Sequence, residues 1–241
     1  MFLRLPLGRI YFRKVIGNMG KNVILAHEEV EVNMDIQSAY NEWSDTYDTD
    51  ENLTRDLDQQ VTRTLLGDLH FDSILEIGCG TGKNTVFLAQ IGQQVNSVDF
   101  SQGMIEKAQA KVQAENVRFS LMNITKPWNF ENESFDLIVC NLVLEHIEDL
   151  SFVFAEAART LRLNGRFFID ELHPVKQYDG KKARFYRNEE KIEVDAFVHH
   201  VSDFFNVATN AGLTLVGLKE FWHEADQNKL PRIVSFQFER C

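Results

Sequence analysis

Cysteine and proline are both scarce in this 241-residue chain, at three and four residues. The cysteines, Cys79, Cys140 and Cys241, are odd in number and sit in no CxxC or Cys/His spacing, so the sequence offers no zinc site. Cys79 and Cys140 each follow an apolar run, where a buried, reduced thiol is expected, and with it a reducing compartment. No apolar stretch approaches the ~20 residues of a membrane span. Positive charge is in deficit too, with 25 Lys and Arg against 36 Asp and Glu. The deficit is uneven: residues 1–27 hold five basic residues and no acid, which leaves 20 basic against 36 acidic in the remainder. A body that acidic repels a phosphate backbone, which argues against nucleic acid and leaves small molecules or basic partners.

What is present divides into a short extension and one long patterned region. Residues 1–33 read as a basic N-terminal extension. The acid-free composition of residues 1–27, with Phe2, Leu3, Leu5, Leu7, Ile10, Tyr11 and Phe12, is that of a mitochondrial transit peptide. Serine is missing from it, however, and Pro6 and Gly8 interrupt any amphipathic helix. A flexible extension, or a start at Met19 or Met34, stands beside the targeting reading. The expected location is the cytoplasm, with the mitochondrial matrix as the alternative.

Residues 34–241 read as one α/β domain. Residues 35–67 form a helical cap, with Tyr40, Trp43 and Tyr47 at spacings of three and four, followed by Leu57, Val61, Leu65 and Leu66. Strands then alternate with helices over 73–173. Strands are expected at Ser73–Ile77, Gln94–Val98, Val117–Leu121, Phe135–Cys140 and Arg166–Asp170. Helices are expected at Thr85–Gln90, from Ser101 to about Gln113, and near Asp149–Leu161. This order predicts a Rossmann-like, doubly wound, mostly parallel sheet of seven strands. The last two, Leu213–Phe221 and Arg232–Phe238, are separated too briefly for a helical crossover and should form an antiparallel edge pair. Residues 175–200 read as an inserted hairpin, with strands at Ala183–Phe185 and Ile192–Val198. A helix over Ser202–Asn210 follows it.

The densest chemical signal is Glu76-Ile77-Gly78-Cys79-Gly80-Thr81-Gly82, directly after the first strand. Alternate glycines let the backbone turn sharply and approach a ligand with no Cβ in the way. Asp99 ends the second strand 21 residues beyond Gly78, where a carboxylate can accept from both hydroxyls of a ribose. A nicotinamide-dinucleotide site competes for this pattern, but its G-x-G-x-x-G/A fingerprint meets Lys83 at the third required position.

Four stretches in register resemble the core of the class I S-adenosylmethionine-dependent methyltransferases, of the small-molecule type. They are LEIGCGTG (75–82), VDFSQGMIEKA (98–108), FDLIVCNLVLEHI (135–147) and RTLRLNGRFFIDELHP (159–174). The resemblance implies S-adenosyl-L-methionine as cofactor. Gly78, Gly80 and Gly82, with Cys79 and Thr81 between them, would make room for its methionine part above Glu76. Asp99 would hold the ribose, and Phe100, Ser101 and Met104 would flank the adenine. Asn123 and Ile124 stand where many members carry an acid for the adenine amine. Asn141 and Leu142 would line the pocket past the fourth strand, and Tyr40 and Tyr47 resemble an aromatic N-terminal helix that closes over the cofactor. Core packing against Trp43 is the other reading of those two tyrosines.

Catalytic residues are quieter, because the cofactor already carries the activation and the protein mainly aligns the nucleophile. The candidates are His146, His173 and Glu145, at the carboxyl ends of the fourth and fifth strands; histidine is the side chain that ionises nearest neutrality. His199 and His200, if on a strand, would point to opposite faces. Lys181, Lys182, Arg184 and Arg187 make the insertion basic and suited to a carboxylate-bearing substrate, or merely solvated. The Asn-Pro-Pro-Tyr-like segment of base- and glutamine-amine methylating enzymes is missing after the fourth strand, where Asn141-Leu142-Val143-Leu144 stands. There is no Pro-Cys nucleophile pair and no metal-ligand cluster. The expected activity is methyl transfer to an N, O or C nucleophile of a small molecule. Methylation of a protein substrate and a catalytically silent cofactor-binding partner are the alternatives, and whether the chain is a monomer or a homodimer stays open.

Overall fold

The computed structural model describes residues 35–180, 183–187, 190–226 and 229–241; the N-terminal extension with its targeting question, and Lys181 and Lys182, lie outside them. Two helices open the described chain, α1 (Ile36–Trp43) and α2 (Leu53–Leu66), instead of the continuous helical cap expected over 35–67. The break has local causes. Asp45, Thr46, Asp48, Thr49 and Asp50 favour turns over helix interiors, and Asn52 starts α2 afresh by accepting from the amides of Thr54 and Arg55 at 3.0 and 3.1 Å.

Then come β1 (Phe71–Ile77), α3 (Thr85–Ile91), β2 (Gly92–Asp99), α4 (Gln102–Lys111), β3 (Val117–Leu121) and β4 (Phe135–Asn141). A 3₁₀ turn at Leu144–His146 leads to α5 (Ser151–Thr160), β5 (Leu161–Leu172) and α6 (Pro174–Tyr178). The hairpin β6 (Arg184–Arg187) and β7 (Glu190–Glu193), α7 (Val201–Asn210), β8 (Leu213–Phe221) and β9 (Ile233–Arg240) complete the order. The fifth strand starts earlier than expected. Its Asn164 takes a φ of 62° beside Gly165, and the ladder with β4 slips between Phe135 and Leu137 to absorb the turn.

The seven-stranded sheet runs β3-β2-β1-β4-β5-β9-β8. β1 pairs parallel with both β2 and β4, while β9 pairs antiparallel with both β5 and β8. The antiparallel edge pair is therefore as expected. Residues alternate between two apolar clusters along the central strands: Leu75, Ile138, Cys140, Phe167 and Ile169 belong to one, Ile74, Leu137, Val139 and Phe168 to the other. With a side-chain period of two, those clusters cover opposite faces of the sheet. α5 and α7 supply Val153, Phe154, Ala157, Phe204 and Ala208 to the first; α2 and α3 supply Leu66, Phe87, Leu88 and Ile91 to the second. A third cluster lies apart from both, where Ala39 and Trp43 of α1 pack on Phe185, Ile192 and Val194.

The chain departs from β1 and β4 toward opposite ends of the sheet, and this switch opens a crevice beyond their carboxyl ends. Among the described residues no helix is long and apolar enough to cross a membrane.

Candidate active site

The crevice is shaped first by the turn after β1. Gly78 has a φ of 72°, and a Cβ there would stand 2.2 Å from Cγ2 of Val143. Gly80, at φ 52°, has open space where its Cβ would be. The amides of Gly78 and Cys79 donate to the carbonyl of Val98 at 2.8 and 3.0 Å, which fastens the turn to β2. Asp99 closes the loop: one oxygen accepts from the Gly80 amide at 2.9 Å and the other from the Ser101 amide at 2.8 Å. Burial raises the Asp99 carboxyl above its ordinary range, opposed by backbone amides of Ser101, Gly80 and Phe100.

Two adjoining clefts follow, of about 810 Å³ and about 480 Å³, both open to solvent. Tyr47, Gly78, Gly80, Asn141 and Leu142 line both, which makes them one continuous depression. The larger one also receives Tyr40, Asp99, Phe100, Asn123, Ile124 and His146. The smaller receives Glu76, Cys79 and Thr81. Glu76 is buried, accepts from the Thr85 and Ser97 hydroxyls at 2.6 and 2.7 Å, and is raised to about 7 by that burial. Thr81 donates to Asp48 at 2.6 Å and accepts from Lys111 at 3.0 Å, tying the glycine turn to the segment after α1. Burial pushes the Cys79 thiol up, so it stays protonated.

Three residues expected at the cofactor line neither cleft. The space beside Gly82, at φ 80°, is filled by Val112 and Ala108, so this glycine serves the approach of α4. Ser101 caps α4, its hydroxyl accepting from the Met104 amide at 3.2 Å and donating to Asn41 at 2.7 Å. Met104, on the same helix, is fully buried.

Of the three catalytic candidates only His146 faces the larger cleft. Its Nδ1 lies 2.9 Å from the carbonyl of Asp195, an acceptor, so Nδ1 carries the proton. Nε2 is then a lone pair, and the Tyr40 hydroxyl donates to it at 2.7 Å. Burial, with Tyr47 adding, holds the Tyr40 hydroxyl well above its ordinary range, so it keeps the proton it donates. His173 is placed elsewhere. Its Nδ1 accepts from the Val175 amide at 3.2 Å, which caps α6, and its Nε2 donates to Glu220 of β8 at 2.8 Å. Glu145 is buried, accepts from Gln177 at 3.2 Å, and lines neither cleft.

The insertion also differs from expectation. Residues 194–200 leave the hairpin, so His199 and His200 are not on a strand. His199 donates from Nε2 to the Ile147 carbonyl at 2.7 Å, and His200 precedes α7, where its amide donates to Asp203 at 2.8 Å. Arg184 is exposed on β6, and the side chain of Arg187 lies outside the described residues.

Three charged residues that sequence reasoning did not single out as site residues gather at the smaller cleft or beneath it. Arg55 lies with its guanidinium carbon 3.9 Å from the Tyr47 ring centroid, donates to the carbonyls of Tyr47 and Asp50, and leaves its Nε without a partner. Asp58 accepts from Asn84 at 2.8 Å and Asn141 at 2.7 Å. Asp170 is fully buried at the end of β5, with the Thr62 hydroxyl at 3.5 Å. The available signal was a polar stripe of Arg55, Asp58 and Thr62 at helical spacing, beside the apolar Leu57 and Val61.

With this geometry in place, residues 75–169 match the family model described as a methyltransferase domain. Over that span the chain carries a methyltransferase domain. The chain is 27% identical over 219 residues to an uncharacterised methyltransferase of Emericella nidulans, covering 75% of this chain and 76% of the relative. It is 25% identical over 178 residues to a demethylmenaquinone methyltransferase of Tropheryma whipplei, covering 73% of this chain and 68% of that enzyme. Among solved structures, the S-adenosylmethionine-dependent methyltransferase of Mesorhizobium loti superposes with a TM-score of 0.64 at 18% identity, over 75% of this chain and 96% of that one. An N-methyltransferase of Bradyrhizobium japonicum, in complex with S-adenosyl-L-homocysteine, gives 0.64 at 20% identity, over 85% and 97%. At such identities the structural likeness establishes the shared fold.

Proposed function

We propose that this methyltransferase transfers its methyl group to an N, O or C nucleophile of a small molecule held in the larger cleft, with His146 as the base. The carrying observation is that Nε2 of His146, with Nδ1 tied to the Asp195 carbonyl, stands in the same cleft as Asp99 and the glycine turn.

The residues present fit the cofactor. Gly78 and Gly80 give backbone that a ligand can approach closely, Asp99 offers a carboxylate for a diol, and Arg55 holds a buried guanidinium with an unspent donor. On this reading Asp99 holds the ribose, Phe100, Asn123 and Ile124 border the adenine, and the methionine end lies over Gly78 toward Asn141. S-adenosylmethionine supplies a methyl group already activated on a sulfonium. The protein's own task is to hold the acceptor in line, exclude water and take a proton where the nucleophile carries one.

Ile36, Met122, Val143 and Ile147 line the larger cleft beside Tyr40 and His146. That lining favours an apolar acceptor with one ionisable nucleophile, and the similarity to demethylmenaquinone methyltransferases lends the same support. The test is release of S-adenosylhomocysteine on incubation with phenols, quinols, amines and carboxylic acids of matched size. Turnover confined to polar acceptors or to basic peptides sinks the apolar small-molecule reading.

A further inference from the structure

The floor of the smaller cleft has more hydrogen-bond acceptors than donors. Asp58 lines it and meets the fully buried Asp170 beneath, between the amides of Asn84 and Asn141 and the buried hydroxyl of Thr62. Both amide nitrogens already donate to Asp58, and Asn141 reaches Thr62 as well at 2.7 Å. Left without a partner are three acceptors, Oδ1 of Asp170, Oδ1 of Asn84 and Oδ1 of Asn141, and one hydroxyl, that of Ser235 beside Asp170. Asp58 is 4% exposed and Asp170 is 0% exposed. Two neighbouring buried carboxyls do not both ionise, since each charge opposes the other and burial opposes both. One retained proton supplies one missing donor and leaves the pair a single negative charge. Of the two, Asp58 lines the cleft, so the charge faces the ligand side.

The same cleft carries the opposite charge. Arg55, 8% exposed as a residue and with its Nε unpartnered, lines it, and Lys83 lies at its margin, bound to Asp56 at 2.6 Å. A small depression with one buried anion and one buried cation suits a zwitterion. An α-ammonium brings three donors, no acceptor and one positive charge, which is what the floor lacks.

We propose that Asp58, sharing one proton with Asp170, is the counter-ion of the α-ammonium at the cofactor's methionine end, with Arg55 facing the α-carboxylate. This rests on the reading of the depression as the cofactor site. Binding is therefore linked to the charge of the pair. Burial raises Asp58 to about 6, against hydrogen bonds from Asn84 and Asn141 and the nearby Lys83, and it raises Asp170 well beyond. The other groups that feel Asp58 are Glu76 on β1, Cys140 on β4, Glu171 on β5, and Tyr47 beside Arg55. Above about pH 6 the pair carries its single negative charge; below it the pair is neutral and the ammonium has no counter-ion.

Two probes separate the ends of the site. S-adenosylhomocysteine carries the amino-acid group, and 5′-methylthioadenosine is the same thioether without it. Titration calorimetry from pH 5 to 8 is expected to show the affinity for S-adenosylhomocysteine falling by up to about tenfold per pH unit below pH 6 relative to 5′-methylthioadenosine. At pH near 5.5, in buffers of different ionisation heat, S-adenosylhomocysteine should release most of a proton per site, and at pH 7.5 almost none. Asp58→Asn should weaken S-adenosylhomocysteine roughly 10- to 100-fold, remove its excess pH dependence, and leave 5′-methylthioadenosine unchanged. Should that variant fail to fold, the proton release of the wild-type protein decides alone. Parallel pH profiles for the two probes, or binding at pH 5.5 with no proton release, overturn the proposal. Binding of neither probe at any pH overturns the cofactor reading beneath it, a different and recognisable failure.

Discussion

The hydroxyl of Tyr40 and Nε2 of His146 stand 2.7 Å apart across 106 residues of chain. Because Nδ1 of the same ring is committed to the Asp195 carbonyl, the tyrosine can only donate and the imidazole can only accept. The pairing holds that ring nitrogen in a cleft whose apolar lining includes Ile36, Met122, Val143 and Ile147. His146→Gln is expected to lower turnover roughly 10²- to 10⁴-fold, the usual range for loss of a general base, with affinity for S-adenosylhomocysteine preserved. Tyr40→Phe should have a smaller effect, since it removes the partner and leaves the base. Steady-state kinetics on an accepted substrate check both; wild-type turnover in His146→Gln would remove the base.

Asp99 makes two hydrogen bonds to backbone amides and lines the cleft besides. Asp99→Ala should weaken S-adenosylhomocysteine and 5′-methylthioadenosine alike, by about 1.5–3 kcal/mol, the worth of hydrogen bonds to a charged group. Calorimetry reads this directly. Unchanged affinity for either ligand would put the ribose elsewhere.

Gly78 and Gly80 should respond differently to the same substitution. Alanine at Gly78 must adopt a left-handed backbone and also place Cβ 2.2 Å from Val143, so the fold should suffer, with a large drop in Tm. Alanine at Gly80 meets no neighbour within 4 Å, and its penalty is the backbone alone, about 1–2 kcal/mol. Thermal unfolding of the two variants distinguishes them. Equal destabilisation would mean that contact with Val143 is relieved by a side-chain shift.

Stability should fall as pH rises from 5 to 8. Burial and the neighbouring Glu145 raise Glu171 to about 8, and burial raises Glu76 to about 7. A carboxyl whose folded pKa lies above its unfolded value keeps a proton that the unfolded chain has lost, so the folded form loses ground across that interval. Oε1 of Glu171 accepts from the amides of Val143 and Leu144 at 2.9 and 2.7 Å, while Oε2 has no partner. Glu171→Gln retains the accepting oxygen and cannot ionise. It should melt like wild type near pH 5 and higher than wild type near pH 8. Identical melting curves at pH 8 would show that Glu171 does not contribute to this slope.

The parts that sequence made legible are those dictated by local backbone chemistry. Glycines at 78 and 80 and an acid ending β2 can be recognised without knowing what packs on them, and alternating apolar strands and helices imply a parallel sheet. The illegible parts are assembled by tertiary contact. Arg55 and Asp58 look like a solvated helix face until α2 is laid against the ends of β4 and β5. His146 and His173 follow neighbouring strands of the sheet, and the sequence favoured His173, since capping or packing at a turn was the readier account of His146. The structure separates them because β5 continues to Leu172 and brings His173 within reach of Glu220. Gly82 and Met104 belonged to a matching motif yet serve α4, since a motif records which residues recur without saying which side of the backbone each one faces.

The apolar contact between α1 and the β6–β7 hairpin, centred on the stacked rings of Trp43 and Phe185 at 5.3 Å, shares no buried residue with the clusters that hold the sheet. Cooperative units of a protein can open separately when few buried contacts join them. The segment that carries Tyr40 can thus detach at the free-energy cost of this small cluster and its polar ties, leaving the sheet intact. How long a spent ligand stays bound then becomes adjustable independently of global melting: trimming Trp43 or Phe185 shortens residence time through a local opening that a thermal scan of the whole domain barely registers.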